Sequence, residues 1–164
     1  MRYSDIRTCD LNNGNGLMVT LWTQGCSLRC SDKCHNKHLW DFEGGKLFTE
    51  EKIQYILSLL DSPQNFACLG GEPVEVQNIE MLTKLFAAIK STYPNKEIWM
   101  WTGRKFNDIK HLEMMQYINY ITDGEYQETC SNKGSLLWRG SSNQRNIDVQ
   151  KSLFQRQIVL STYN

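Results

Sequence analysis

Three evenly spaced cysteines lie in one short segment, and they are the residues of this sequence best suited to chemistry. Cys26, Cys30 and Cys34 come directly after the strand-like run Leu17–Trp22. Thiolates packed this densely usually share a metal ion or an iron–sulfur cluster. A single helix over residues 26–38 would hold the ends of the segment about 18 Å apart. Bonds to one metal are only about 2.3 Å long, so we expect the segment to coil as a loop.

The number of cysteines leaves more than one kind of site open. A structural zinc site needs four protein ligands, and His35 or His38 is a candidate for the fourth. A four-iron cluster held by three thiolates leaves one iron without a protein ligand, and that iron can bind a substrate. Three unrelated free cysteines are a further alternative, although unpaired cysteines rarely lie so close together.

The elements around this loop alternate between strands and helices. Hydrophobic patterning predicts four strands, at Leu17–Trp22, Phe66–Leu69, Ile98–Trp101 and Ile118–Thr122. Helices are predicted between them, at Thr49–Leu60, Asn78–Ile89 and Phe106–Gln116. Strands separated by helices of this length form right-handed βαβ units. The sequence therefore predicts an α/β fold with a parallel sheet.

In such folds ligands bind beyond the carboxyl ends of the strands. The segments at those ends here are the cysteine loop, Gly70–Pro73, Thr102-Gly103 and Asp123-Gly124, and we expect them to meet at one mouth. The two glycines of Gly70–Pro73 let the backbone approach a ligand closely. A Gly-Gly turn after a strand is by itself more often just a turn, but next to the cysteine loop it favours a reaction site. Thr102 and Asp123 are expected to contact a ligand or cation there, or to form turns.

Length and composition restrict the remaining possibilities. The chain has 164 residues, which is most economically one domain with a core over about 14–125 and an extension over 126–164. Lys plus Arg and Asp plus Glu both number 18, so no overall charge attracts nucleic acid or acidic membranes. No secretory signal or membrane-spanning stretch is evident. We expect a cytoplasmic protein, where thiolates stay free to bind metal.

At this point the sequence resembles the radical S-adenosylmethionine (SAM) enzymes. Within them it is similar to the activating proteins of anaerobic, class III ribonucleotide reductases, over residues from about 5 to 146. The motifs that carry this closer resemblance are Gly14–Gly16, Thr23–Cys26, Cys34–Asn36 with Trp40, Trp99–Gly103 and Leu137–Arg145. The implied fold is a truncated, open partial (β/α) barrel with parallel strands.

The resemblance also implies roles for individual residues. Three loop cysteines, here Cys26, Cys30 and Cys34, hold a [4Fe-4S] cluster in that family. The turn equivalent to Gly70, Gly71 and Glu72 binds the methionyl amine of SAM. Further SAM contacts are implied for Lys33, His35, Thr102 and Asp123. One departure is the second gap between cysteines, which has three residues here and two in the family.

The activity implied is the reductive cleavage of SAM and the formation of a glycyl radical on the large subunit of anaerobic ribonucleotide reductase. A flavodoxin-type protein donates the electron in that family. Trp138–Gly140 is a candidate contact with the reductase, because aromatic and Arg side chains favour interfaces. Two alternatives remain: a radical SAM enzyme acting on a small molecule, as a 7-carboxy-7-deazaguanine synthase does, and a structural zinc-binding interaction module.

Overall fold

A computed structural model describes residues 1–131 and 137–163 and shows an α/β protein built on one seven-stranded sheet. The strands are β1 (Arg2–Asp10), β2 (Met18–Thr23), β3 (Lys46–Leu47), β4 (Asn65–Gly70), β5 (Ile98–Trp101), β6 (Tyr120–Asp123) and β7 (Arg145–Asp148). The α-helices are α1 (Glu50–Leu60), α2 (Val76–Thr92), α3 (Phe106–Ile109) and α4 (Val149–Gln155). Short 3-10 turns lie at Lys37–Leu39, Glu113–Tyr117 and Glu128–Cys130.

The order of strands across the sheet is β3-β1-β2-β4-β5-β6-β7. The four central strands β2, β4, β5 and β6 pair in parallel, which confirms the parallel arrangement expected from the sequence. The flanking strands β1, β3 and β7 pair antiparallel with their neighbours. The sheet is therefore mixed, with its parallel part in the middle, and the carboxyl ends of the parallel strands share one edge.

The two faces of the sheet are covered in different ways. Alternate side chains such as Val19, Phe66 and Met100 point to a large core that includes the apolar faces of α1 and α2. The residues between them point to the opposite face, where a smaller cluster is mostly aromatic. Its members are Met18, Trp22, Ala67, Leu69, Trp99, Trp101, Tyr120, Trp138 and Tyr163.

The helix predicted over Phe106–Gln116 differs from the observed structure. Only Phe106–Ile109 is α-helical, and a 3-10 turn follows over Glu113–Tyr117. Leu112 between them has an extended backbone, with φ −67° and ψ 136°. This break allows the adjacent Met114 and Met115 both to be buried in the core. Within the part of the chain described, no helix is long and apolar enough to cross a membrane.

Candidate functional site

One pocket at the carboxyl edge of the parallel strands brings together most of the residues singled out in the sequence. Of these, the pocket is lined by Cys26, Cys30, Cys34, His35, Gly70, Gly71, Glu72 and Thr102. Its remaining wall comes from Leu28, Asn36, Trp40, Leu69, Trp101, Gly103, Gly124, Tyr126, Gly140 and Gln144. Lys33 and Asp123 do not line it. The strand ends therefore meet at one mouth, as the chain order suggested.

The cysteine segment is a coil, as the argument from metal-bond lengths requires. It leaves β2 and returns on itself, because the N–H of Gly25 donates to the Leu39 carbonyl at 2.8 Å and that of Cys26 donates to the Trp40 carbonyl at 3.3 Å. Gly25 has φ +91°, and a Cβ there would lie 2.5 Å from the Phe42 ring. These two backbone hydrogen bonds join the beginning and the end of the cysteine loop next to the carboxyl end of β2.

The N–H of Asn36 donates to the Cys34 sulfur at 3.4 Å. Nearby backbone N–H groups partly offset the effect of burial on the pKa of the other two thiols: those of Leu28 and Arg29 at Cys26, and that of Tyr126 at Cys30. Burial raises the pKa of Cys26 and of Cys30, and the proximity of Cys34 raises that of Cys30 further. Backbone N–H groups aimed at sulfur stabilise thiolates and are the usual support of iron–sulfur ligands.

These observations fit a cluster held by three cysteines. Among the described residues, no three Cys, His, Asp or Glu side chains are arranged to hold a single metal ion. A four-iron cluster distributes three thiolates over three different irons, so its sulfur ligands lie farther apart than those around one ion. The three cysteines line one pocket, and backbone N–H groups lie near each sulfur, which suits such a cluster.

The Gly-Gly turn packs directly against the beginning of the cysteine loop. The N–H of Gly71 donates to the Thr23 carbonyl, and the N–H of Glu72 donates to the Gly25 carbonyl, both at 2.9 Å. A Cβ on Gly71 would lie 2.3 Å from the Gly25 oxygen, and one on Gly70 would lie 2.6 Å from the Thr23 nitrogen. Both glycines are therefore required for the close approach of the two segments. The N–H groups of Gly71 and Glu72 are used in this contact, which leaves carbonyl oxygens as the acceptors for a ligand.

Glu72 is almost completely buried beside this turn. Its carboxylate accepts hydrogen bonds from residues that directly follow β5. Its Oε1 accepts from the Val74 N–H at 3.1 Å and from the Thr102 hydroxyl at 2.6 Å. Among the described residues, the one donor to its Oε2 is the Gly103 N–H, at 2.8 Å. Each carboxylate oxygen can accept about two hydrogen bonds, so Oε2 retains one acceptor position. Thr102 thus orients Glu72.

Two residues proposed from the sequence have other partners. Lys33 is exposed and forms an ion pair with Glu128. Asp123 is buried and accepts hydrogen bonds from the Phe106 N–H at 2.8 Å and from Arg145 Nε at 2.9 Å. Both connect neighbouring segments and lie outside the pocket lining. His35 does line the pocket, with its ring 6.0 Å from that of Tyr126.

Comparison with known proteins agrees with this geometry. The model of the 4Fe-4S single cluster domain family matches residues 12–147. The anaerobic ribonucleoside-triphosphate reductase-activating protein of Enterobacteria phage T4 is 41% identical over 147 residues, which cover 88% of this chain and 92% of the relative. Proteins of the same name from Escherichia coli K12 and Haemophilus influenzae are each 33% identical over 150 residues, covering 88% of this chain and 96% of each relative.

The chain belongs to the family of these activating proteins.

In this activating-protein family member, some residues that line or support the pocket were not singled out as site residues from the sequence. Asn36 donates from Nδ2 to the Gly70 carbonyl at 3.1 Å, so it joins the cysteine loop to the Gly-Gly turn. Its position directly after Cys34-His35 is the signal that could have indicated it. Glu75 accepts from the N–H and the hydroxyl of Ser27, at 2.7 and 2.6 Å. No local signal marks that pair, since the two residues are 48 positions apart.

The extension beyond β6 supplies the last wall of the pocket. Gln144 accepts from the Gly140 N–H and donates to the Gly124 carbonyl, both at 2.8 Å, and thereby ties the extension to the end of β6. Trp138 packs edge-on against Trp99, with ring centroids 4.9 Å apart. Residues 132–136 of the extension lie outside the described part of the chain.

Proposed function

We propose that this protein is a radical SAM activase that generates a glycyl radical on the large subunit of an anaerobic ribonucleotide reductase. The observation that carries the proposal is that Cys26, Cys30 and Cys34 line one pocket together with the Gly70-Gly71-Glu72 turn. The names of the relatives support the choice of partner. A flavodoxin-type electron donor, a single domain, a cytoplasmic location and a partial (β/α) barrel built on the parallel strands belong to the same proposal.

In this proposal Cys26, Cys30 and Cys34 hold a [4Fe-4S] cluster. When bound, that cluster supplies the electron for reductive cleavage of SAM, which yields the 5′-deoxyadenosyl radical that takes hydrogen from a glycine Cα. The backbone N–H groups near the three sulfurs would stabilise the negative charge of the thiolates. Three protein thiolates leave one iron free for SAM.

The Gly-Gly-Glu turn positions SAM. Its amine is positively charged, and the free acceptor position on Glu72 Oε2 and the carbonyl oxygens of Gly70 and Gly71 suit an ammonium group. Thr102 keeps the carboxylate in place, and His35 lines the same pocket. The apolar walls from Leu69 and Trp101 exclude water, which protects a reactive alkyl radical from side reactions.

Two measurements test the proposal. The anaerobically purified protein should contain iron and acid-labile sulfide in the ratio of a four-iron cluster, whereas one tightly held zinc and no sulfide would contradict it. The reduced protein, mixed with SAM and the reductase, should give a glycyl radical doublet in electron paramagnetic resonance.

Matched cysteine variants make the second measurement specific. Cys30→Ala should abolish the doublet, while Cys9→Ala should leave it intact, because Cys9 is exposed and lies outside the pocket. Release of 5′-deoxyadenosine without any protein radical would instead indicate a small-molecule substrate.

A further inference from the structure

A second cavity opens beside the cofactor pocket and shares three of its lining residues. Leu28, Gly103 and Gly124 border both spaces. The rest of this cavity, called here the side groove, comes from residues of the segment after β5, from the end of β6 and the segment after it, and from Asn143 and Arg145. The side groove therefore lies at the same edge of the sheet, next to the proposed SAM site.

The charges along the side groove are balanced. Arg145 and Asp123 form an ion pair with each other. The other charged side chains are two cations, Arg104 and Lys105, and two acids, Asp108 and Glu125. A groove for a phosphate or another strongly charged ligand would carry an excess of one sign. This balance favours an uncharged, polar occupant.

Amide side chains line the side groove as well. Asn107, Gln127 and Asn143 are all exposed there. Asn143 donates to the Glu125 carbonyl at 2.9 Å, which leaves its own oxygen as an acceptor. Because an amide group offers both donors and an acceptor, it complements the N–H and C=O groups of a peptide main chain. The chemistry of the groove suits an extended peptide segment.

The junction between the two cavities is bordered by Leu28 and by the backbone of Gly103 and Gly124. A Cβ on Gly103 would lie 2.4 Å from Leu28 Cδ1, so the two residues are close together. A Cβ on Gly124 would meet no other atom closer than 3.9 Å, so there is open space on that side. Because neither glycine carries a side chain, the main chain of a bound segment can approach the junction closely.

We propose that the side groove binds the segment of the reductase that carries the glycine to be oxidised, and delivers that glycine to the cofactor pocket between Leu28, Gly103 and Gly124. This inference rests on the proposed function and adds the path by which the protein substrate enters. It makes SAM cleavage and transfer of the radical separable, because blocking the side groove leaves the cofactor pocket complete.

The test fills the side groove with a bulky side chain. In Asn107→Trp the indole replaces an exposed amide, and Asn95→Trp is the matched control, because Asn95 is an exposed residue before β5, at the opposite end of that strand. Two rates are measured with the intact protein: 5′-deoxyadenosine release with a chemical reductant, and growth of the glycyl radical on the reductase.

Asn107→Trp should release 5′-deoxyadenosine at the wild-type rate but form the glycyl radical roughly tenfold more slowly. Asn95→Trp should match wild type in both. An Asn107→Trp variant that activates the reductase normally would overturn the inference, and so would one that loses both activities, because the groove would then act through the cofactor pocket. Absence of SAM cleavage in wild type would instead reject the proposed function.

A photocrosslinker identifies the segment directly. Benzoylphenylalanine at position 107 should join the protein to the glycine-bearing segment of the reductase, as located by mass spectrometry, and the same group at position 95 should not. Crosslinks from position 107 to a distant part of the reductase would contradict the proposal.

Discussion

The Glu72 carboxylate joins the segments that follow β4 and β5 by hydrogen bonds, and it also lines the pocket. Three groups of the protein donate to it, from Val74, Thr102 and Gly103. Burial nevertheless raises the pKa of Glu72, because the cost of removing the charge from water exceeds the gain from those bonds. Ionisation of Glu72 in the folded chain therefore has a cost in stability.

This cost predicts a particular pH dependence of stability. The folded-state pKa of Glu72 lies above its unfolded value of about 4.3, so between the two the folded chain binds more protons than the unfolded one. The contribution of Glu72 to the free energy of unfolding therefore falls as pH rises through that window and is constant above it. Glu72→Gln should remove this component in urea unfolding measured across the window. Glu43→Gln, at an exposed glutamate, should retain it, and identical pH profiles for Glu72→Gln and wild type would contradict the prediction.

Asn36 allows a second prediction, about the hydrogen bond that joins the cysteine loop to the Gly-Gly turn. In Asn36→Asp a carboxylate oxygen replaces the Nδ2 group that donates to the Gly70 carbonyl, so attraction becomes repulsion. We expect SAM affinity, measured by equilibrium dialysis with iron content matched, to fall about tenfold. Asn36→Ala should lose less, because a missing hydrogen bond costs only about 1 kcal/mol.

The control for this substitution is Asn12→Asp, at an exposed asparagine outside the pocket, which should bind SAM as wild type does. Equal affinity of Asn36→Asp and wild type would show that the bond to Gly70 does not shape the SAM site.

What the sequence predicts at residue scale depends on how local the signal is. The three cysteines and the two glycines are recognisable because each group is close together in the chain. The contact of Glu75 with Ser27 and that of Gln144 with Gly124 are made by the fold, and nothing in the neighbouring residues indicates them. The partners of surface side chains are equally difficult to predict from the sequence, as the ion pair between Lys33 and Glu128 illustrates.

At the scale of elements, the buried parallel strands were predictable and the flanking strands were not. β4 and β5 are short apolar runs, since both of their faces are covered. β1 and β7 are rich in polar residues and pair antiparallel at the sides of the parallel group, so neither has the apolar run of a central strand. The pairing of β7 with β6, for example, involves the long-range contact between Arg145 and Asp123.

That ion pair gives the third prediction. Asp123 is buried at the end of β6, and Arg145 at the start of β7 reaches it with two nitrogens. Arg145→Met should lower the free energy of unfolding by about 2 kcal/mol, because a buried carboxylate loses a charged hydrogen-bond partner. Arg7→Met is the control: it removes an ion pair with Asp5 in which both side chains are about half exposed, and such pairs contribute less than about 1 kcal/mol. Equal losses in the two variants, in anaerobic urea unfolding at matched iron content, would refute the argument.

At the scale of the whole molecule, the sheet has helices on one face and aromatic side chains on the other. The end of the chain completes the aromatic face. Ser161 donates to the Asn146 carbonyl at 2.8 Å, and Asp148 donates to the Val159 carbonyl at 2.9 Å, so the residues after α4 run beside β7. Trp101 belongs to this cluster and also lines the pocket beside the cysteine loop, which connects the packing of the chain end to the candidate site.

Tyr163 tests this connection. Its ring lies 5.4 Å from Trp99, 5.6 Å from Tyr120 and 5.1 Å from Trp138, measured between ring centroids. Tyr163→Ala should lower the free energy of unfolding by about 2 kcal/mol, since a partly buried ring loses three aromatic neighbours. Hydrogen exchange at the Ser161 and Asp148 amides should become faster, because the segment after α4 loses its anchor.

Phe154→Ala is the matched control for this aromatic deletion, because Phe154 is 89% exposed and its removal creates no cavity. It should leave both the stability and the exchange rates unchanged. If Tyr163→Ala behaved in the same way, the chain end would contribute nothing to the aromatic face. The site would then not depend on the packing of Tyr163, because Trp101 would keep its position through the bond from its Nε1 to the Trp138 carbonyl.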